Sequence, residues 1–292
     1  MINSREKRIA HAGFVGPALL IYLLIIVFPV GMSFVLGFTN WKGYGPLNFI
    51  GFDNYIRMFK DPIFLMGIKN NLWIMLISVC GQIPLGLILA YMLHRKMVKG
   101  SKIFEIMIFL PITISSIIVA LMWFRIFSPI GIFPYIVRKI TGNPEYVVKI
   151  FENKNWAIIP ILFVLLWQHT SLYMVIFLAN LQRIPNAIIE AAVIDGAKET
   201  DIFLKVVAPQ LAGVIFINSI FAISGSFKSF DLIYAMTGGG PAHYTEVIGI
   251  YMYNNTFVYQ NYGFGAAISI VMVLFSVIVI AISKLLLKRY ED

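Results

Sequence analysis

Six uninterrupted apolar stretches, each of about 20 residues, leave this chain few ways to fold. They run over approximately 14–36, 72–93, 104–127, 157–180, 206–226 and 265–287. At ~1.5 Å rise per residue, a helix of that length crosses a ~30 Å hydrocarbon layer. An isolated strand would leave its backbone amides unpaired in lipid, so each stretch is expected to be helical. Pro29, Pro84, Pro111, Pro160 and Pro209 lie in or at the ends of the stretches, where neighbouring groups in a bundle can pair the freed carbonyls. Composition agrees: 59% of residues are hydrophobic and 13% charged, against about 25% charged in soluble domains. The expectation is an all-α, polytopic membrane protein with six transmembrane helices in a single domain.

Charge sets the orientation. With both termini in the cytoplasm, 13 of the 23 basic residues fall in inner segments, among them Arg5, Lys7, Arg8, Arg95, Lys284, Lys288 and Arg289. The other ten are spread over outer segments of about twice the length, so basic density favours this topology. Basic residues beside anionic headgroups account for the net charge of +9 without any nucleic acid. The first stretch follows a basic segment but is too long for a cleaved signal, and bulky residues follow it, so it is expected to be a retained span. Trp41, Tyr44, Phe49, Phe52 and Tyr55 then suit an interfacial belt, with 46–69 a short amphipathic segment at the outer surface. The lone cysteine, Cys80, excludes an internal disulfide and is expected to be a small packed side chain.

The energy source must come from elsewhere. No G-x-x-x-x-G-K-[ST] occurs, since Gly238-Gly239-Gly240 leads into Pro241 with no following Lys. None of the 14 carboxylates lies in the interior of a stretch, with Asp231 near a boundary, which removes a carboxylate proton relay. The spans offer no set of groups for an intramembrane hydrolase. Sodium coupling through backbone carbonyls stays open. A partner-driven passive element is the other possibility.

One polar interruption bears on that choice. Between the fourth and fifth stretches, about 185–205, Pro185 suits a helix start, and Ile188, Ile189, Ala192 and Val193 recur at helical spacing. Asp195-Gly196 then breaks the helix, and a second one from about Ala197 carries Ile202, Phe203 and Val206. Periodicity alone is equally met by an amphipathic loop lying on the membrane. The residues Glu190-Ala191-Ala192-Val193-Ile194-Asp195-Gly196-Ala197, followed by Phe203, Val207, Pro209 and Leu211, form E-A-A-x-x-D-G-A. This pattern resembles the loop by which permeases of binding-protein-dependent ABC importers grip their ATPase, in the sugar-uptake group with the maltose and glycerol-3-phosphate systems. Phe109-Leu110-Pro111 with Trp123, the segment 230–241 ending Thr-Gly-Gly-Gly-Pro, Thr245 and 262–267 are similar to the same group. Ala208 and Gln210 depart from it, since leucines usually flank that proline.

The resemblance implies the type I permease fold and a subunit that is not itself an enzyme and needs no cofactor or metal, because partners bind ATP and magnesium. It implies a second homologous permease, two copies of a cytoplasmic ATPase, and an external solute-binding protein that delivers a sugar or oligosaccharide. ATPase coupling then falls to Glu190, Ala191, Ala192, Asp195, Gly196 and Ala197. His169, Thr170 and Tyr173 share a helix face at i, i+1 and i+4. The resemblance aligns that face, and Ser226 and Ser229, with sugar-contacting positions. A tyrosine ring covers the C–H face of a sugar while its hydroxyl bonds one of the sugar's own. His169 equally suits a bond to a neighbouring helix, and Tyr173 a packing role. Lys228, between the serines, suits an anionic sugar or a lipid phosphate. A non-sugar solute and a sodium-coupled carrier remain as alternatives.

Overall fold

A computed structural model describes residues 4–143, 147 and 149–291. The side chains of Arg5, Lys7, Arg8, Lys284, Lys288 and Arg289, which contribute to the charge asymmetry, lie outside the described residues. Among the described residues every long element is a helix, and one β-bridge joins Thr39 to Phe49. Five helices are long and apolar enough to cross a membrane: Gly13–Leu36, Pro62–His94, Ser116–Thr141, Ile159–Leu181 and Tyr262–Ile282. A bent pair, Glu199–Gln210 and Ala212–Phe227, makes six if taken as one span.

Three of these helices contain a π-helical turn, and each turn stops just short of a proline. The turns are Leu23–Val27, Ser78–Gln82 and Ile202–Val207, ahead of Pro29, Pro84 and Pro209. A proline has no N–H, and its ring presses on the carbonyl four residues back. The residue before it reaches five back instead: Phe28 donates to Leu23, Ile83 to Ser78 and Ala208 to Phe203. The turn also corrects the expectation for Cys80. Ser78 and Gln82 are directed inward and buried, which leaves Cys80 exposed on the opposite side.

The third stretch differs from one continuous helix over 104–127. It forms two helices, Ser101–Thr113 and Ser116–Phe127, with Ile114 and Ser115 extended between them. The carbonyl of Ile114 accepts a bond from the Gln168 amide at 3.3 Å, so the break inside the bundle is partly satisfied from the fourth span. The fifth stretch also differs. The chain bends by 72° around Leu211, so the expected straight helix over 206–226 is divided: Ala212–Phe227, 16 residues, carries most of it and makes a span only together with Glu199–Gln210.

The chain divides into two compact units. The smaller holds residues 1–61 and 252–274. There the Phe38 ring meets Phe34, Phe49, Phe52 and Tyr55, and the buried Asn54 amide donates to the carbonyls of Gly37 and Thr39. Its first span buries no side chain from Gly13 to Leu36.

The larger unit, 62–251 with 275–292, has two apolar clusters. One gathers Leu87, Ala90, Met174, Phe177 and Leu181 with Ile189, Ile202 and Val207 of the 185–210 loop. The other gathers Val119, Ile161 and Val164 with Ile233, Met236 and Val247. Gly86 lets the second and fourth spans close up. A Cβ there would stand 2.8 Å from the Cβ of Tyr173 and 2.9 Å from the Met174 amide nitrogen, a separation that packed atoms do not tolerate.

Candidate functional site: a helical hairpin and a polar cavity

The 185–210 loop is a hairpin of two helices. Asn186–Ile194 begins just after Pro185, which cannot continue a preceding helix but is preorganised to start one. It ends in a left-handed turn: Gly196 has φ of +78°, its N–H donates to the Val193 carbonyl, and the Ala197 N–H reaches the Ala192 carbonyl, both at 3.0 Å. These paired bonds are the Schellman closure, and Ala192 and Ala197 pack against the same apolar cluster as its accompanying contact. Space around Gly196 is open, so only backbone conformation demands glycine there.

Ile189 and Ile202 anchor the two helices in the core. The opposite face is bare: Glu190, Ala191, Val193, Asp195 and Gly196 are exposed, and Ile194 is 84% exposed. An apolar residue so exposed beside small residues and two carboxylates makes a tip suited to a cleft on another protein.

The second helix of the hairpin is tied down by charge. Glu199 accepts from the Tyr91 hydroxyl and from Arg95 Nε at 2.7 Å and Nη2 at 3.2 Å. Hydrogen bonding to that carboxylate holds the Arg95 guanidinium above its ordinary pKa. An exposed single ion pair contributes about 0–1 kcal/mol. This one is bidentate, half-buried and shared with a tyrosine, which places it among the stronger kind. Lys205 and Asp201, at 2.7 Å on the outer face, are of the weaker kind.

A second feature lies between the two apolar clusters. His169, Tyr173, Ser226 and Ser229 line one cavity with Ser78 and Gln82 of the second span. Its volume is about 100 Å³, well below the ~300–1,000 Å³ of ordinary small-molecule sites. The cavity must widen before a sugar-sized solute fits. Two of the expected residues are elsewhere. Thr170 is buried, but its hydroxyl bonds the Leu166 carbonyl of its own helix at 2.6 Å and it does not line the cavity. Lys228 is exposed at the end of Ala212–Phe227. Ser226 and Ser229 bond carbonyls of their own segment, Ile223 and Gly225, and His169 Nδ1 lies 3.3 Å from the Leu165 carbonyl.

Several polar residues were not singled out from sequence. Ser78 and Gln82, four apart in an apolar run, share a face, a signal that was available. Gln82 donates to the Leu165 carbonyl at 3.0 Å. Asn71, fully buried, donates to the Ser226 carbonyl at 2.6 Å and accepts from the Ile248 N–H at 2.9 Å. Asn70 donates to the carbonyls of Tyr244 and Glu246. These bonds cross about 155–177 residues of chain, so nothing local announces them.

The larger unit thus holds a small polar cavity among its spans and one exposed hairpin, features that a membrane permease component needs. Residues 82–292 match the family described as binding-protein-dependent transport system inner membrane component, and the chain belongs to that family. It is 31% identical to the probable ABC transporter permease protein YurN of Bacillus subtilis over 294 residues, covering 100% of this chain and 98% of that one. It is 33% identical to the multiple sugar-binding transport system permease protein MsmF of Streptococcus mutans, covering 94% and 93%. The fold is also that of a chain in a bacterial ABC transporter involved in the import of the acidic polysaccharide alginate. That match has a TM-score of 0.84 at 20% identity and covers 99% of this chain and 100% of the other. The protein is thus a multi-pass inner-membrane permease of a binding-protein-dependent ABC importer, a transport subunit without a catalytic role or a cofactor of its own.

Proposed function

We propose that this chain carries a sugar or oligosaccharide across the plasma membrane as one half of a heterodimeric pore, driven by two copies of a cytoplasmic ATPase. Both termini and the 185–210 hairpin are cytoplasmic, and 1–292 works as a single permease domain. Glu190, Ala191, Ala192, Asp195, Gly196 and Ala197 seat in the ATPase, where the small residues allow close backbone approach and the carboxylates meet polar groups. The observation that carries this is the hairpin itself: its buried face is anchored by Ile189 and Ile202, and its exposed face has no partner role within a lone chain. The bare first span suits a neighbouring permease in the same way.

A carbohydrate is favoured by the relative described as a multiple sugar-binding system and by the cavity's chemistry. A tyrosine ring, an imidazole, a carboxamide and serine hydroxyls match the mixed apolar and hydroxyl surface of a sugar. His169, Tyr173, Ser226 and Ser229 belong to the solute path as it opens, with Ser78 and Gln82. Thr170 and Lys228 join it only through a rearrangement.

Reconstitution tests the whole proposal. Uptake of labelled oligosaccharide into proteoliposomes is expected only with the second permease, the ATPase, ATP and the loaded binding protein. Sodium-driven uptake by this chain alone would overturn it.

A further inference from the structure

The Arg95–Glu199 contact gains meaning from the helix to which it is attached. Pro62–His94 is the longest span, 33 residues, about 50 Å at helical rise. One end holds the hairpin at two points a turn apart: the Tyr91 ring packs on Phe203 with centroids 4.9 Å apart, and Tyr91 and Arg95 together grip Glu199. The middle forms a cavity wall through Ser78 and Gln82, on a π-helical turn. The other end holds Ser226 through Asn71, and the segment 244–248 through Asn70 and Asn71. A single element therefore touches the hairpin, the cavity and the far end of the fifth span, and side-chain hydrogen bonds fix both of its ends.

We propose that Tyr91, Arg95 and Glu199 form a latch through which the second span moves with the hairpin, so that a displacement of the hairpin reaches the cavity wall at Ser78 and Gln82. This rests on the hairpin being the ATPase contact. The three are positioning residues, since none lines the cavity. Glu199 is partly buried against Tyr91 and Arg95, whereas Glu190, Ala191, Val193, Ile194, Asp195 and Gly196 are exposed, so loss of the latch should leave ATPase docking intact while weakening transmission.

The test uses the complete importer in proteoliposomes and reads solute moved per ATP hydrolysed, a ratio that a change in the amount of folded protein does not alter. Arg95→Ala and Glu199→Ala are each expected to lower that ratio about tenfold, a usual size for coupling mutations. The exchange Arg95→Glu with Glu199→Arg should restore most of it. A wild-type ratio in both alanine variants overturns the latch. If they fail to assemble, the exchange decides: recovery of coupled uptake supports the latch, and no recovery overturns it. Gly196→Val separates the two levels. Loss of coupling there with normal latch variants removes only the latch, whereas normal coupling in Gly196→Val removes the hairpin's assigned role as well.

Discussion

At the residue scale, the most informative positions are glycines and a tyrosine. Gly196 occupies a left-handed turn with open space around it, so a branched residue there strains backbone and clashes with nothing. Gly196→Val is therefore expected to insert and assemble but lose ATP-coupled uptake, measured beside the amount of ATPase that copurifies. Gly86 is the opposite case, demanded by contact, because any Cβ meets Tyr173 and the Met174 backbone. Tyr173→Ala should lower uptake by about one to two orders of magnitude, ~1.4–3 kcal/mol, with solute affinity of the binding protein unchanged. Wild-type uptake in an assembled Tyr173→Ala importer would make the ring a packing group. The face expected from His169, Thr170 and Tyr173 was partly legible. A helix turns by about 100° per residue, and Thr170 follows the neighbouring direction to its own backbone carbonyl.

At the element scale, prolines shaped the spans in a way that hydropathy does not register. Pro29, Pro84 and Pro209 each follow a π-helical turn, and the last lies beside the 72° bend around Leu211. Runs of apolar residues mark where a helix crosses, but an average over a window cannot detect one displaced hydrogen bond. The break at Ile114 and Ser115 was hidden for the same reason, and the group that bonds its carbonyl, Gln168, comes from another span. Asn71 makes the sharpest prediction at this scale. Asn71→Leu keeps the number and branching of side-chain heavy atoms but leaves the Ser226 carbonyl and the Ile248 N–H without that partner in a buried setting. The expected loss is ~2–6 kcal/mol at about 1–3 per group, read as a lower melting temperature in detergent. A melting temperature equal to wild type would mean that other groups take over both bonds.

At the scale of the whole molecule, the chain supplies a path and a contact surface but no motor. Side chains along Gly13–Leu36 and at the hairpin tip are exposed and apolar, and the proposed assembly assigns these surfaces to lipid, a second permease and an ATPase. Purification in mild detergent is expected to recover a different permease of similar topology and two ATPase copies per importer. A functional homodimer free of any nucleotide-binding subunit would refute that assembly. The cavity of about 100 Å³, proposed above as part of the solute path, should enlarge on loading with ATP and binding protein, measurable as greater access of thiol reagents to Ser78→Cys in a Cys80→Ser background.

Hydropathy and a short motif were enough to determine the class. Six long apolar stretches force helices because lipid cannot satisfy a bare backbone, and the spacing of Glu190, Asp195 and Gly196 marks a local turn whose bonds all lie within six residues. Such features are decided by neighbours along the chain, so the chain order displays them. Only the tertiary structure decided that Ser78 and Gln82 face His169 and Tyr173, that Asn71 binds Ser226, and that Arg95 meets Glu199 across 104 residues. Those pairings depend on helix rotation and on close approach at Gly86, and both are set by packing against distant segments.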